Sequence, residues 1–276
     1  MRRICALLVV GLFPVFLNVA AVYAAAPGPK FKDGGNKHNL SSANTGVTFQ
    51  AVATPGDPTR RDTQTCTFCH TPHNSVPQTV LWNRKDPTTT FGRYSSASLV
   101  IDNSGVLASS AYGEPNGSSR LCLSCHDGVT ALGDVLNGPL IDFGVNDKIT
   151  GITKFDAAKV KSGHHPVSFR FNATVMNAIN AQKSGTNAVQ LPTLPTVKLS
   201  YGTDRVKEWM QCTTCHDPHQ NQSDDAACYG GACGGANTRK IAPFWVYHSG
   251  SNTAVADHDA VCLDCHVGLT VPAPWP

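Results

Sequence analysis

Charge is scarce in this chain of 276 residues: Asp, Glu, Lys and Arg together make 15% of it, against about 25% in ordinary soluble domains. No run of Lys and Arg is longer than two, and the formal net charge is +3. Basic tracts that grip nucleic acid are therefore excluded. Methionine is scarcer still, with three residues, one of them the initiator. Past the first twenty or so positions there is no apolar run long enough to cross a bilayer, so a bundle of membrane helices is excluded too. Sustained helical or alternating periodicity is also missing. Gly, Pro, Asn, Ser and Thr dominate most stretches, which predicts mainly irregular chain.

What is present begins at the amino terminus. Arg2 and Arg3 precede an apolar run from Ile4 to about Val19, and Val22-Tyr23-Ala24 follows as a small-residue cleavage pattern. We expect residues 1–24 to be a signal peptide, with Ala26 as the near alternative cut. The apolar run is short, and Pro14 and Asn18 interrupt it, which argues against a retained anchor. The expected mature chain, 25–276, keeps ten of the eleven cysteines and is exported to the periplasm or the outer surface.

Eight of those ten share one pattern. Cys66-Thr-Phe-Cys69-His70, Cys122-Leu-Ser-Cys125-His126, Cys212-Thr-Thr-Cys215-His216 and Cys262-Leu-Asp-Cys265-His266 are all Cys-x-x-Cys-His, the attachment motif of c-type haem. Two thiols bond the vinyl edge of the porphyrin, and the adjacent His then supplies the proximal iron ligand. Zinc can use Cys-x-x-Cys pairs but does not require a His after each second Cys. Four such followers would arise by chance on the order of once in a million. The expected cofactor is thus four covalently attached c-type haems. Cys228 and Cys233 remain, and a small local disulfide is expected between them.

Each iron needs a second axial ligand. Met176 and Met210 could serve at most two, whereas seven histidines lie outside the motifs. His73 and His219 lead, in the matching strings Cys69-His70-Thr-Pro-His73 and Cys215-His216-Asp-Pro-His219. The Pro between the two histidines points the second away from its own haem, toward a neighbour. Within Gly-His164-His165-Pro, His165 is favoured, because the Pro after it imposes extended backbone. His38 is the fourth candidate, and His248 and His258 read as surface residues. Ligation by two histidines at every iron leaves no open position for substrate, so an enzyme is not expected.

The motifs form a degenerate repeat. Residues 65–133 and 211–271 each carry a Cys-Thr-x-Cys-His-x-Pro-His string followed by a Cys-Leu-x-Cys-His-x-Gly string. We expect one tetrahaem domain of two diverged two-haem modules, about 38–140 and 200–276, joined by a segment that carries a distal His. The expected fold class is mostly coil with short helices and few strands, organised around the haems. Helical turns are expected at each motif, with one leading in over Asp204–Met210, and a helix near Ala173–Lys183. The two prolines of Leu191-Pro-Thr-Leu-Pro-Thr-Val argue for extended chain there. Without Arg2 and Arg3 the formal charge is +1 (20 minus 19). Four haems with ionised propionates would take it to roughly −3 oxidised and −7 reduced.

These strings, with His38-Asn-Leu-Ser upstream and His165-Pro-Val-Ser-Phe between, resemble the doubled-CxxCH multihaem cytochromes, and among them the tetrahaem outer-surface cytochromes of the OmcE type. The resemblance implies proximal His70, His126, His216 and His266 with distal His38, His73, His165 and His219. It further implies a closely spaced haem chain and redox partner proteins, with an extracellular electron acceptor among them. In filamentous members it implies a homopolymer in which one axial His comes from the next subunit.

A chain with about 63 residues per haem (252 over 4) cannot bury enough apolar surface alone. The haem-free protein is expected to be largely unfolded. A cooperative thermal transition in apoprotein, followed by far-ultraviolet circular dichroism, would refute this.

Overall fold

A computed structural model describes residues 31, 36–58, 60–75, 81–92, 94, 114–162, 164–182, 188–202, 204–219, 244–246 and 254–269. The expected leader, Cys228–Cys233 and His248 lie outside the described residues, and of His258 only the helical backbone is described. Among the described residues there are five α-helices: α1 (Gly117–His126), α2 (Ala157–Ser162), α3 (Ala173–Gln182), α4 (Cys212–Cys215) and α5 (Ala254–Cys265). The strands described are short: β1 (Phe169–Arg170), β2 (Ala188–Val189), β3 (Ser200–Tyr201), β4 (Lys207–Met210) and β5 (His266–Val267). Among the described residues no helix is long and apolar enough to cross a membrane.

Each cysteine motif winds through one helical turn. At the first, the His70 amide donates to the Cys66 carbonyl at 2.8 Å, and at the third His216 donates to Cys212 at 3.0 Å. The second motif ends α1 and the fourth ends α5. An i to i−4 bond brings both thiols and the imidazole to one side of the turn. Asp127 closes α1: its carboxylate accepts the amides of Val129 and Thr130 at 2.9 and 2.8 Å, and Gly128 takes φ +73°. A capping box opens α4, in which Gln211 and Thr214 exchange side-chain and backbone bonds.

The helix expected near Ala173–Lys183 is found at Ala173–Gln182. The helical lead-in expected over Asp204–Met210 is not. Lys207–Met210 is the central strand of an antiparallel sheet in the order β1–β4–β3, with Phe169 opposite Met210 and Ser200 opposite Trp209. Two strand partners and the complete burial of Trp209 outweigh the local helical preference of these residues. The second sheet pairs β2 with β5, which sets Val189 opposite His266.

The repeat seen in the sequence has a backbone counterpart. After the first motif, Thr71 donates to Leu81 and Asn83 donates to Cys69, both at 2.8 Å. After the third, Asp217 donates to Phe244 at 2.7 Å and Val246 donates to Cys215 at 3.0 Å. His70 thus bridges to Trp82 and His216 to Trp245. Each Trp ring lies edge-on to its His, at 5.7 and 5.2 Å between centroids. Leu81 and Phe244, the residues before each Trp, both take left-handed backbone, with φ of 66° and 62°. Such angles are unfavourable for these side chains, so their recurrence marks one geometry used twice.

Small apolar clusters surround the motifs. Leu40, Phe68, Leu132, Val135, Ile141 and Phe143 pack with Cys69 and Cys125. Val197, Trp245, Val246 and Val261 pack with Cys215 and Cys262. Phe169, Phe171, Val175, Ile179 and Val189 pack with Cys265.

The chain ahead of the first motif is pinned by Asp62, whose side chain is 2% exposed. Its carboxylate meets Arg60 Nη2 at 2.8 Å, accepts from Thr54 Oγ1 at 2.8 Å, and accepts from the Ser42 hydroxyl. The Arg60 guanidinium, helped by the two hydroxyls, holds this carboxyl well below the usual carboxylate range. An unfolded chain would bind a proton here at a higher pH than the folded one. The stabilisation is therefore complete above pH 3.8, the ordinary value, and is lost as pH falls through the depressed one. Asp62→Asn is expected to lower the thermal midpoint at pH 7 and to flatten its decline below about pH 4. Equal acid slopes in the two proteins would contradict this.

Candidate functional site

Three motif histidines face histidines from outside the motifs. His70 lies 6.0 Å from His219, His126 lies 6.1 Å from His38, and His266 lies 6.2 Å from His165, centroid to centroid. Each pair is assembled by a different part of the fold. The β2–β5 pairing and the cluster around Cys265 fix His266 beside the segment that enters β1. His38 is held by stacking on Phe244 at 4.1 Å. His219 is tethered through its carbonyl, which accepts from Phe31 at 2.8 Å.

The imidazoles are also oriented. His38 Nδ1 lies 3.2 Å from the Pro218 carbonyl, His126 Nδ1 2.9 Å from Thr153, and His165 Nδ1 2.9 Å from Pro166. A carbonyl only accepts, so each Nδ1 carries the proton and each Nε2 keeps its lone pair. His219 Nδ1 is turned instead to the Asp217 carboxylate, at 3.5 Å. Such partners fix the tautomer of ligating histidines.

Burial keeps most of these rings neutral. It lowers the pKa of His126 and His165, and that of His70 together with the charge of His219. His38 is pushed down to about 4 by burial and by His126. Neutral imidazole is the form that binds metal. His219 runs the other way, because Asp217 raises it.

The thiols line up in chain order. Cys69 and Cys125 border one apolar cluster, Cys122 shares a hydrogen bond with Cys212, and Cys215 and Cys262 border another. First, second, third and fourth motifs are therefore consecutive neighbours. Side-chain ties reinforce the middle junction: Ser118 Oγ meets Thr213 Oγ1 at 2.6 Å, and the Cys212 amide donates to Ser119 Oγ at 2.9 Å. Burial pushes Cys69, Cys215 and Cys265 up to about 12. Among the described residues no three His, Cys, Asp or Glu side chains converge as a metal cage.

These residues fit the expected group. An iron bound at about 2.0 Å by two imidazoles, each nitrogen about 1.1 Å from its ring centroid, sets the centroids roughly 6.2 Å apart. The three pairs have that spacing, and each joins one motif histidine to one outside histidine. A cleft of about 470 Å³ opens beside the first motif and is lined by both Cys66 and His70.

The remaining candidates separate cleanly. His164 neighbours Phe155 at 5.5 Å and Tyr94 at 6.3 Å, while its sequence neighbour His165 takes the place opposite His266. His216 lies against Trp245. His73, the counterpart of His219 in its string, is exposed and belongs to none of the three pairs. The two tryptophans that back His70 and His216 were not foreseen from the sequence. They lie 12 and 29 residues beyond their histidines, an offset too uneven to be read as a repeat.

Neither a family model nor any curated protein matches the chain.

His165→Ala and His38→Ala are each expected to open one iron of the haem-loaded protein, read as one additional carbon monoxide bound per reduced chain. His164→Ala is expected to open none. The reverse order for His164 and His165 would overturn the pairing.

Proposed function

We propose that this chain is an exported electron-transfer protein. Its four motifs hold covalently attached c-type haems, each iron takes two histidines, and the chain serves as a subunit of a polymeric conducting cytochrome. The observation that carries the reading is the set of three histidine pairs beside thiols in unbroken order. Haem supplies a one-electron ferric/ferrous couple. The chain's residues bind it through eight thiols, orient it through His Nε2 atoms, and keep the four sites close. Closeness favours rapid transfer from site to site. Irons closed on both sides suit transfer of electrons and not turnover of a substrate.

The polymeric part of the reading rests on His73 and on the resemblance to filament-forming cytochromes. His219 leaves its own string to face the first motif. His73 occupies the same place in an equivalent string and is exposed. An exposed histidine with that history is suited to ligate an iron of a neighbouring copy, which repeats head to tail the relation that His219 makes within the chain.

Electron cryo-microscopy of the native protein sheared from producing cells tests both parts. Filaments with a continuous line of haems, lost in His73→Ala while four haems per chain remain, are the expected result. Haem-loaded single particles for the wild type would leave a soluble carrier and remove the polymer. Chains without haem would remove the electron-transfer reading altogether.

A further inference from the structure

The three histidine pairs are not alike. The ring planes of His70 and His219 lie 15° apart, whereas those of His38 and His126 lie 85° apart and those of His165 and His266 lie 78° apart. The groups behind the rings differ too. His38, His126 and His165 turn Nδ1 to neutral carbonyls, and His70 is backed by the Leu81 carbonyl. His219 turns Nδ1 to a carboxylate, that of Asp217, at 3.5 Å. The two groups act on each other: Asp217 raises His219, and His219 holds Asp217 below the usual carboxylate range.

The backbone puts Asp217 in this place. Its amide donates to the Phe244 carbonyl at 2.7 Å, inside the frame that carries Trp245. Its Oδ1 accepts the His219 amide at 2.9 Å, an Asx turn that brings the carboxylate back beside the ring two residues on. The carbonyl between them, on Pro218, faces His38 Nδ1. One string of three residues therefore backs the outside histidines of two pairs, with a carboxylate for the first and a carbonyl for the second. The matching string of the other half lacks this arrangement. Thr71 stands at the position of Asp217, and its hydroxyl donates to the His73 carbonyl at 2.8 Å.

We infer that Asp217 is a positioning residue that tunes the iron held between His70 and His219, stabilising its ferric state through His219. The inference rests on the electron-transfer reading above. A carboxylate that accepts the Nδ1–H bond draws the proton toward itself and makes Nε2 a stronger donor than a carbonyl does. Stronger donation favours the more positive iron. The ferrous site then passes its one electron more readily to a ferric neighbour or acceptor, and no bond is made or broken. Arg61, bonded to Thr67, and Arg84, whose charge reaches Cys69, also bear on the absolute potential of the first site. Both stay in place when residue 217 loses its charge. The effect belongs to this one iron and sets no order among the four.

The ring angles give this site its own signature. In low-spin ferric haem, near-parallel axial rings split the iron d orbitals and give a rhombic electron paramagnetic resonance signal, whereas perpendicular rings give a single feature at high g. The test is a redox titration of the haem-loaded protein followed by this resonance. The site is identified as the rhombic signal lost in His219→Ala, which should bind one additional carbon monoxide per reduced chain. Asp217→Asn keeps an oxygen for the His219 amide and removes the charge. It is expected to raise the midpoint of that signal by about threefold in the redox equilibrium, roughly 30 mV for one electron. The shift is modest because the pair is partly open to water. Carbon monoxide binding should stay at the wild-type level. A shift below twofold or downward, an equal shift at the other irons, or an iron newly open to carbon monoxide overturns the inference. If this variant does not load its haems, the His219 Nδ1 proton in the NMR spectrum of the reduced wild type decides. A resonance downfield of those of His38 and His165 supports the inference, and one level with or upfield of them overturns it. A haem count other than four, or a His219→Ala variant with no opened iron, instead strikes the reading of the sites.

Discussion

An imidazole whose Nδ1–H is committed to a carbonyl can offer only Nε2, and only in one direction. His38, His126 and His165 are all fixed in this way, by Pro218, Thr153 and Pro166. That constraint gives the structure its functional content. The three histidine pairs join segments far apart in sequence, including residue 70 to 219 and 38 to 126. The intervening chain is largely loop, and much of its order lies in tying these rings in place. On the proposed reading each pair closes on an iron, which replaces packing that the short helices and strands do not provide.

The motif turns were legible because Cys-x-x-Cys-His is local: spacing of four residues is one helical turn, and the thiols and imidazole follow from it. The preference for His165 over His164 also came from a local feature, the proline after it, and the fold places His165 opposite His266. The helix at Ala173–Gln182 followed from local preference. Lys207–Met210 did not, because its conformation is decided by two strands remote in sequence and by the burial of Trp209. Which outside histidine faces which motif histidine was equally out of reach. His73 and His219 look alike in their strings, yet one is exposed and the other faces His70. Only the fold distinguishes them.

The duplicated frame shows how such a protein can diverge. The left-handed residues Leu81 and Phe244, the tryptophans behind them and the two cross-strand amide bonds are kept in both halves. These set the position of the motif turn, so they belong to geometry. Arg84 stands where the other half has Tyr247, and Asp264 where the other half has Ser124, so buried charge differs between halves that keep the same frame.

The central claim is that the histidine pairs are iron clamps. The most direct measurement is a map of the haem-loaded protein in which the irons are located, by anomalous scattering in crystals or by electron cryo-microscopy. The account predicts four irons, three of them midway between His70 and His219, His38 and His126, and His165 and His266. Irons lying away from these ring pairs, or eight motif cysteines bearing no haem, would contradict it.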